Sequence, residues 1–156
     1  MPEDAPGASM PPLVAACRAL YAAIDRLDHV AARRVGVSRN DLRALNALER
    51  GPLRAGDLAH ALELTTGSVS TLIDRLEHRG LVERRREAGD RRVVLVALTD
   101  RTFAALGPLY RRVADQVIAA AAAYGPDERI AALRHLEDVA TAYRDAAGGE
   151  LEVADD

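Results

Sequence analysis

The 156-residue sequence predicts a mainly α fold with a small β-wing: a winged helix-turn-helix core flanked by N- and C-terminal dimerisation helices. Three observations predict it. Val69, Leu72, Ile73 and Leu76 recur at i, i+3, i+4 and i+7, which makes one apolar stripe on a short helix. Two strand-like runs follow at once, Val82–Arg86 and Val93–Leu98, the second rich in β-branched residues. Long segments with apolar faces of their own lie before and after.

Residues 1–12 are Pro-rich and polar and read as a flexible N-terminal arm. Residues 13–35 form a helix with Leu13, Cys17, Leu20, Ile24, Leu27 and Ala31 on one side; Arg33 and Arg34 suit its last turn and Gly36 its end. Residues 36–99 read as the winged helix-turn-helix domain. There Ser38 caps a helix Arg39–Arg50, broken by Gly51-Pro52, and Gly56–Leu62 is a short helix. Glu63 to Thr65 make the turn into the next helix, about Thr66–Arg79. Thr65 is its cap, Leu64 and Val69 can form a hydrophobic staple, and Gly80 occupies the left-handed stop position. Glu87-Ala88-Gly89-Asp90 turns the chain between the two strands.

Thr99 caps a long helix, Asp100 to about Tyr124, carrying Phe103, Leu106, Leu109, Tyr110, Val113 and Val117; Gly107-Pro108 predicts a kink in it. Gly125-Pro126 breaks the chain before the last helix, Asp127–Ala147. Residues 13–35 and 100–147 together make the helical dimerisation region, and 148–156 an acidic mobile tail. Apolar residues are 49% of the chain, but many are Ala and only 3% are aromatic. Such helices bury little area each, so a homodimer is expected, with these helices intertwined about a two-fold axis.

The charge pattern points to a partner. The chain is net acidic, at −3, and all 21 of its basic residues are arginine. Between Arg75 and Arg92 there are seven arginines against four acids. Next to it, the helix from Thr66 to Thr71 carries only small side chains apart from Val69. A close-approaching helix start beside a basic hairpin is the footprint of double-stranded DNA.

These strings resemble the winged helix-turn-helix signature of the MarR family of bacterial transcription regulators. The matching pieces are Asp57-Leu58-Ala59, Val69-Ser70, Asp74-Arg75-Leu76-Glu77, Arg79-Gly80-Leu81-Val82, Arg84, Asp90-Arg91-Arg92 and Leu98-Thr99. One departure is Thr102, where the family usually has Gly. The resemblance implies a major-groove set of Thr65, Thr66, Gly67, Ser68, Ser70, Thr71 and Arg75. It implies a wing set of Arg84, Arg86, Asp90, Arg91 and Arg92, in which Arg92, with Arg91, reaches the minor groove and Asp90 steadies the wing arginine. The expected operator is palindromic, with half-sites about one helical turn apart. The regulator is expected to be a repressor released by a small ligand, aromatic ones included, in a pocket lined by Cys17, Tyr21, Phe103 and Tyr110. An alternative release uses Cys17 as a thiol sensor of oxidants, on its likeness to the family's peroxide-sensing branch. A second alternative makes the winged helix a protein-interaction module, which would not need the arginines of the wing.

Other classes lack their residues. Ser-His-Asp ordering, a Gly-rich phosphate loop and paired catalytic carboxylates are missing, so no enzyme is expected. His29, His60, His78 and His135 have no metal-ligand spacing, and neither a metal nor another cofactor is expected. One cysteine cannot make an internal disulfide. The acidic start lacks a signal-peptide pattern, and no apolar run nears the ~20 residues of a membrane span. The expectation is a soluble, cytoplasmic protein without a membrane partner.

Overall fold

The computed structural model of the chain describes residues 11–87, 89–90 and 92–153, with side chains as far as Ala147. Residues 1–10 of the expected arm, Ala88 and Arg91 of the wing, and 154–156 of the expected tail lie outside the described residues.

Among the described residues, six helices and three strands follow in the order α1 (Pro12–Val35), α2 (Arg39–Leu48), β1 (Leu53–Arg54), α3 (Ala55–Leu62), α4 (Thr66–His78), β2 (Val82–Arg86), β3 (Val94–Leu98), α5 (Asp100–Ala121) and α6 (Pro126–Val153). The mainly helical fold with a small antiparallel sheet is the one the sequence predicts. Two compact units divide between Leu109 and Tyr110.

Local chemistry sets the element ends in the first unit. Gly36 closes α1 in the left-handed region at φ 69°. Ser38 and Asp41 form a reciprocal capping box at α2: the Ser38 hydroxyl accepts from the Asp41 N–H at 3.1 Å, and the Asp41 carboxylate accepts from the Ser38 N–H at 3.3 Å. Helix α2 stops at Leu48, two residues before the expected Arg50, where Gly51 donates back to the Leu48 carbonyl at 3.2 Å. At the end of α4, the N–H of Leu81 reaches the Leu76 carbonyl at 3.0 Å and that of Gly80 reaches Glu77 at 2.8 Å. That is a complete Schellman stop.

The sheet order is β1-β3-β2, antiparallel throughout. Val82 lies opposite Leu98 and Arg86 opposite Val94, while Leu53 pairs with Val96 on the other side of β3. Strand β1 has no counterpart in the sequence reading. Two residues are too short for a period of two to show; the strand exists because β3 has a free edge to pair.

The core of this unit is Leu42, Leu45 and Leu48 of α2, Leu58 and Leu62 of α3, the Val69-Leu72-Ile73-Leu76 stripe of α4, and Val82, Val96 and Leu98 of the sheet, all buried. The first turn of α5 is sewn to the end of α4. Thr99 donates to the Gly80 carbonyl at 2.8 Å, and buried Thr102 donates to the Leu81 carbonyl at 2.6 Å. A glycine at 102 could not make the second bond.

Helix α5 continues through Pro108 and ends, in the second unit, at Ala121. The next three N–H groups bond three residues back, tightening the turn before Gly125. Helix α6 passes through Gly148-Gly149 and ends at Val153, beyond the expected stop at Ala147.

Candidate nucleic-acid interface

Helix α4 is placed by its stripe. With Val69, Leu72, Ile73 and Leu76 buried, Thr65, Thr66, Gly67, Ser68, Ser70 and Thr71 are all left exposed. Their hydroxyls are already oriented. The Thr65 oxygen accepts from the Ser68 N–H at 3.3 Å while its hydroxyl donates to Ser68 Oγ at 2.9 Å. Ser70 donates to the Thr66 carbonyl at 2.9 Å and Thr71 to the Gly67 carbonyl at 3.2 Å. A hydroxyl that donates inward keeps its lone pairs outward, so Ser70 and Thr71 present acceptors to anything that meets the helix. The donors that a major groove offers are the amino groups of adenine and cytosine.

The wing stands beside this helix, and an ion-pair cluster fixes it there. From β2, Arg84 donates to Asp74 at 2.6 Å and also pairs with Glu77, both on α4; its own N–H donates to Glu77 at 3.3 Å. Asp74 belongs to the outward face of α4, so hairpin and helix start share one side of the unit. At the tip, Asp90 accepts from the backbone N–H of Arg92 at 2.9 Å. The aspartate thus steadies the wing through the main chain.

The arginines of this region are not equivalent. Arg75 makes a side-on fork to Asp41, with Nε at 3.3 Å from Oδ2 and Nη2 on Oδ1. Arg79 donates to the Gly36 carbonyl at the end of α1, and Arg85 pairs with Glu83. Arg84 is engaged as described. Arg86 and Arg92 are exposed, and among the described residues their guanidinium groups have no partner. The charge that an incoming phosphate would meet is therefore concentrated at the outer end of β2 and the wing tip. The sequence showed the arginines but not their partners, because Asp41 is 34 residues from Arg75; only the Ser38-x-x-Asp41 capping signature was legible.

The residues expected to line an effector pocket lie on α1 and α5. Cys17 is half-buried, Tyr21 is 66% exposed and Phe103 50% exposed. Tyr110 opens the second unit and is half-buried.

Residues 35–93 match the sequence profile of the MarR family. Among curated proteins, YcgE of Bacillus subtilis, an uncharacterized HTH-type transcriptional regulator, is 46% identical over 71 residues, covering 44% of this chain and 46% of YcgE. The HTH-type transcriptional repressor MdtR of the same species is 35% identical over 66 residues, covering 42% and 43%. The chain thus spans about half the length of the curated relatives it matches. Among solved structures, a MepR variant from a multidrug-resistant S. aureus clinical isolate superposes with a TM-score of 0.65 at 17% identity, over 86% of this chain and 99% of the other. A second S. aureus MepR variant, bound to an oligodeoxyribonucleotide, gives 0.53 at 17% identity over the same shares. NadR in complex with 4-hydroxyphenylacetate gives 0.56 at 23% identity, over 90% and 98%. These structural likenesses establish a winged-helix fold, and residues 35–93, which hold the helix-turn-helix and the start of the wing just described, match the MarR-family profile.

Proposed function

We propose that the chain is a sequence-specific, double-stranded-DNA-binding transcription regulator that works as a homodimeric repressor and is released by a small ligand. One observation carries the reading. The small-residue start of α4 and the guanidinium groups of the wing's Arg86 and Arg92, without partners among the described residues, lie on the same side of one compact unit, held together by Arg84. In this arrangement α4 enters a major groove and Arg92 follows the flanking minor groove, where a guanidinium reads width and potential more than base identity. The oligonucleotide-bound MepR variant, which shares the fold, supports a duplex as partner, and MdtR, named a repressor, supports the sign.

Release by a ligand is a population shift. A molecule that favours one separation of the two α4 helices disfavours the separation that matches successive grooves. NadR, seen with an aromatic acid, supports a ligand of that kind.

The test is a salt titration on duplex DNA by fluorescence anisotropy. Affinity should fall steeply with salt. Arg92→Ala removes one phosphate-region contact per half-site, so the slope of log K against log salt should become shallower by about 1.8, from ~0.9 per contact. Binding that is absent, or indifferent to salt, would sink the proposal and favour a protein-interaction module.

A further inference from the structure

Asp41 is an unusual anchor. Its side chain is 5% exposed, and it is fixed to α2 by that helix's own first turn through the capping box with Ser38. Arg75 approaches it edge-on from α4, Nε to one oxygen at 3.3 Å and Nη2 to the other. A planar fork on a planar carboxylate admits one orientation, and a buried carboxylate that lost the fork would be left with an unpaired charge. Arg75 is therefore poorly placed to leave Asp41 for DNA.

Its place on α4 gives the bond a use. Arg75 lies between the buried residues Leu72 and Leu76 and the outward residues Thr71, Asp74 and His78. Fixing it fixes the rotation of the helix about its axis. Side-chain tips lie ~6 Å from that axis, so a turn of ~10° moves them ~1 Å. That shift is enough to stretch a base contact of ~2.9 Å beyond hydrogen-bonding range.

We propose that Arg75 is a positioning residue, acting through Asp41 to set the rotation of α4, and that it does not itself contact DNA. The inference rests on reading this face as a duplex-binding surface.

The experiment uses the full chain and two probes: a duplex selected by the unmodified protein from a random-sequence library, and an unselected duplex of equal length. Arg75→Met and Asp41→Asn should each weaken binding to the selected duplex by about tenfold or more. Each should leave the unselected duplex within about twofold and the salt slope unchanged, because no phosphate contact is lost. The double variant should be no weaker than either single, since both break the same bond.

The proposal is overturned if Arg75→Met makes the slope shallower by about 0.9 per protomer on both probes while Asp41→Asn binds at least as well as the unmodified protein. Ser38→Ala separates positioning from stability. It removes the capping hydroxyl and should lower Tm, yet it leaves the fork intact, so the selected-to-unselected ratio should hold. A ratio that collapses in Ser38→Ala as far as in Asp41→Asn also overturns the proposal. Should Asp41→Asn fail to fold, Arg75→Met carries the test, since the Arg75 side chain is 45% exposed. Failure of the unmodified protein to bind either duplex would remove the duplex-binding reading and this inference together, an outcome distinct from any of the variant results.

Discussion

At Asp41 burial and hydrogen bonding pull in opposite directions. Burial alone would raise its pKa, but the bonds from Arg75 and Ser38 outweigh that, and the carboxyl is held below the usual aspartate range. A carboxylate whose folded pKa is depressed adds stability above its unfolded pKa and loses it as pH falls through the folded one. The loss therefore sets in as pH drops below the ordinary aspartate value of about 3.9. Asp28 works the other way: burial raises its pKa, only partly offset by Arg39, so its contribution to stability grows as pH falls. Asp41→Asn isolates the first effect. The Tm gap between parent and variant should narrow between about pH 5 and about pH 2; a constant gap would mean that the carboxylate charge is not what Arg75 holds. At this scale the sequence was legible where bonds are local. The Ser38 and Thr65 caps and the Gly80 stop each lie within a few residues of their partners. The Asp41–Arg75 fork and the Thr102 bond to Leu81 join segments 34 and 21 residues apart, and no spacing rule reaches them.

Among the elements, the turn between α3 and α4 holds the clearest strain. Glu63 closes α3 with φ 56° and ψ 43°, and it is the one non-glycine residue with positive φ among the described residues. The left-handed region costs an L-residue ~1–2 kcal/mol, and glycine's larger unfolded entropy returns ~0.5–1 of any gain. Glu63→Gly should therefore stabilise the unit by about 0.5–1 kcal/mol, a rise in Tm of about 2 °C by circular dichroism. Glu63→Ala, which keeps the Cβ, should bring no gain. Equal Tm values for Gly and Ala would mean that the turn stores no strain. The helix-turn-helix itself was readable because its apolar stripe and both ends of α4 were signalled separately. The wing was readable as a strand pair with a turn, but its third strand was not, because Leu53-Arg54 becomes a strand only by pairing with β3.

For the whole molecule, the informative surface is apolar. Leu20 and Ile24 of α1, Val117 and Ile118 of α5, and Leu133 and Leu136 of α6 are each about half exposed or more. Burying a side chain of this kind is worth ~1.5–3 kcal/mol when complete. Six half-exposed positions on each of two copies are therefore worth on the order of 10 kcal/mol, ample for a stable pair of chains. Ile118, at 69% exposed, offers the sharpest test. In a lone chain Ile118→Glu would be a near-neutral surface change, whereas in a dimer it buries a charge. Sedimentation should show the parent as two copies and the variant shifted toward one; a parent that sediments as a single copy at micromolar concentration would exclude the dimer.

Two guanidinium groups tie the end of α4 to its neighbours in the chain. Arg101, in the first turn of α5, donates to the Arg79 carbonyl at 3.1 Å, and Arg79 in turn donates to the carbonyl of Gly36. The foot of α4 is thereby tied like a knot in a cord between the helix that arrives before the winged unit and the helix that leaves it. A displacement of either helix would have to be followed by the foot of α4 or release one of these hydrogen bonds.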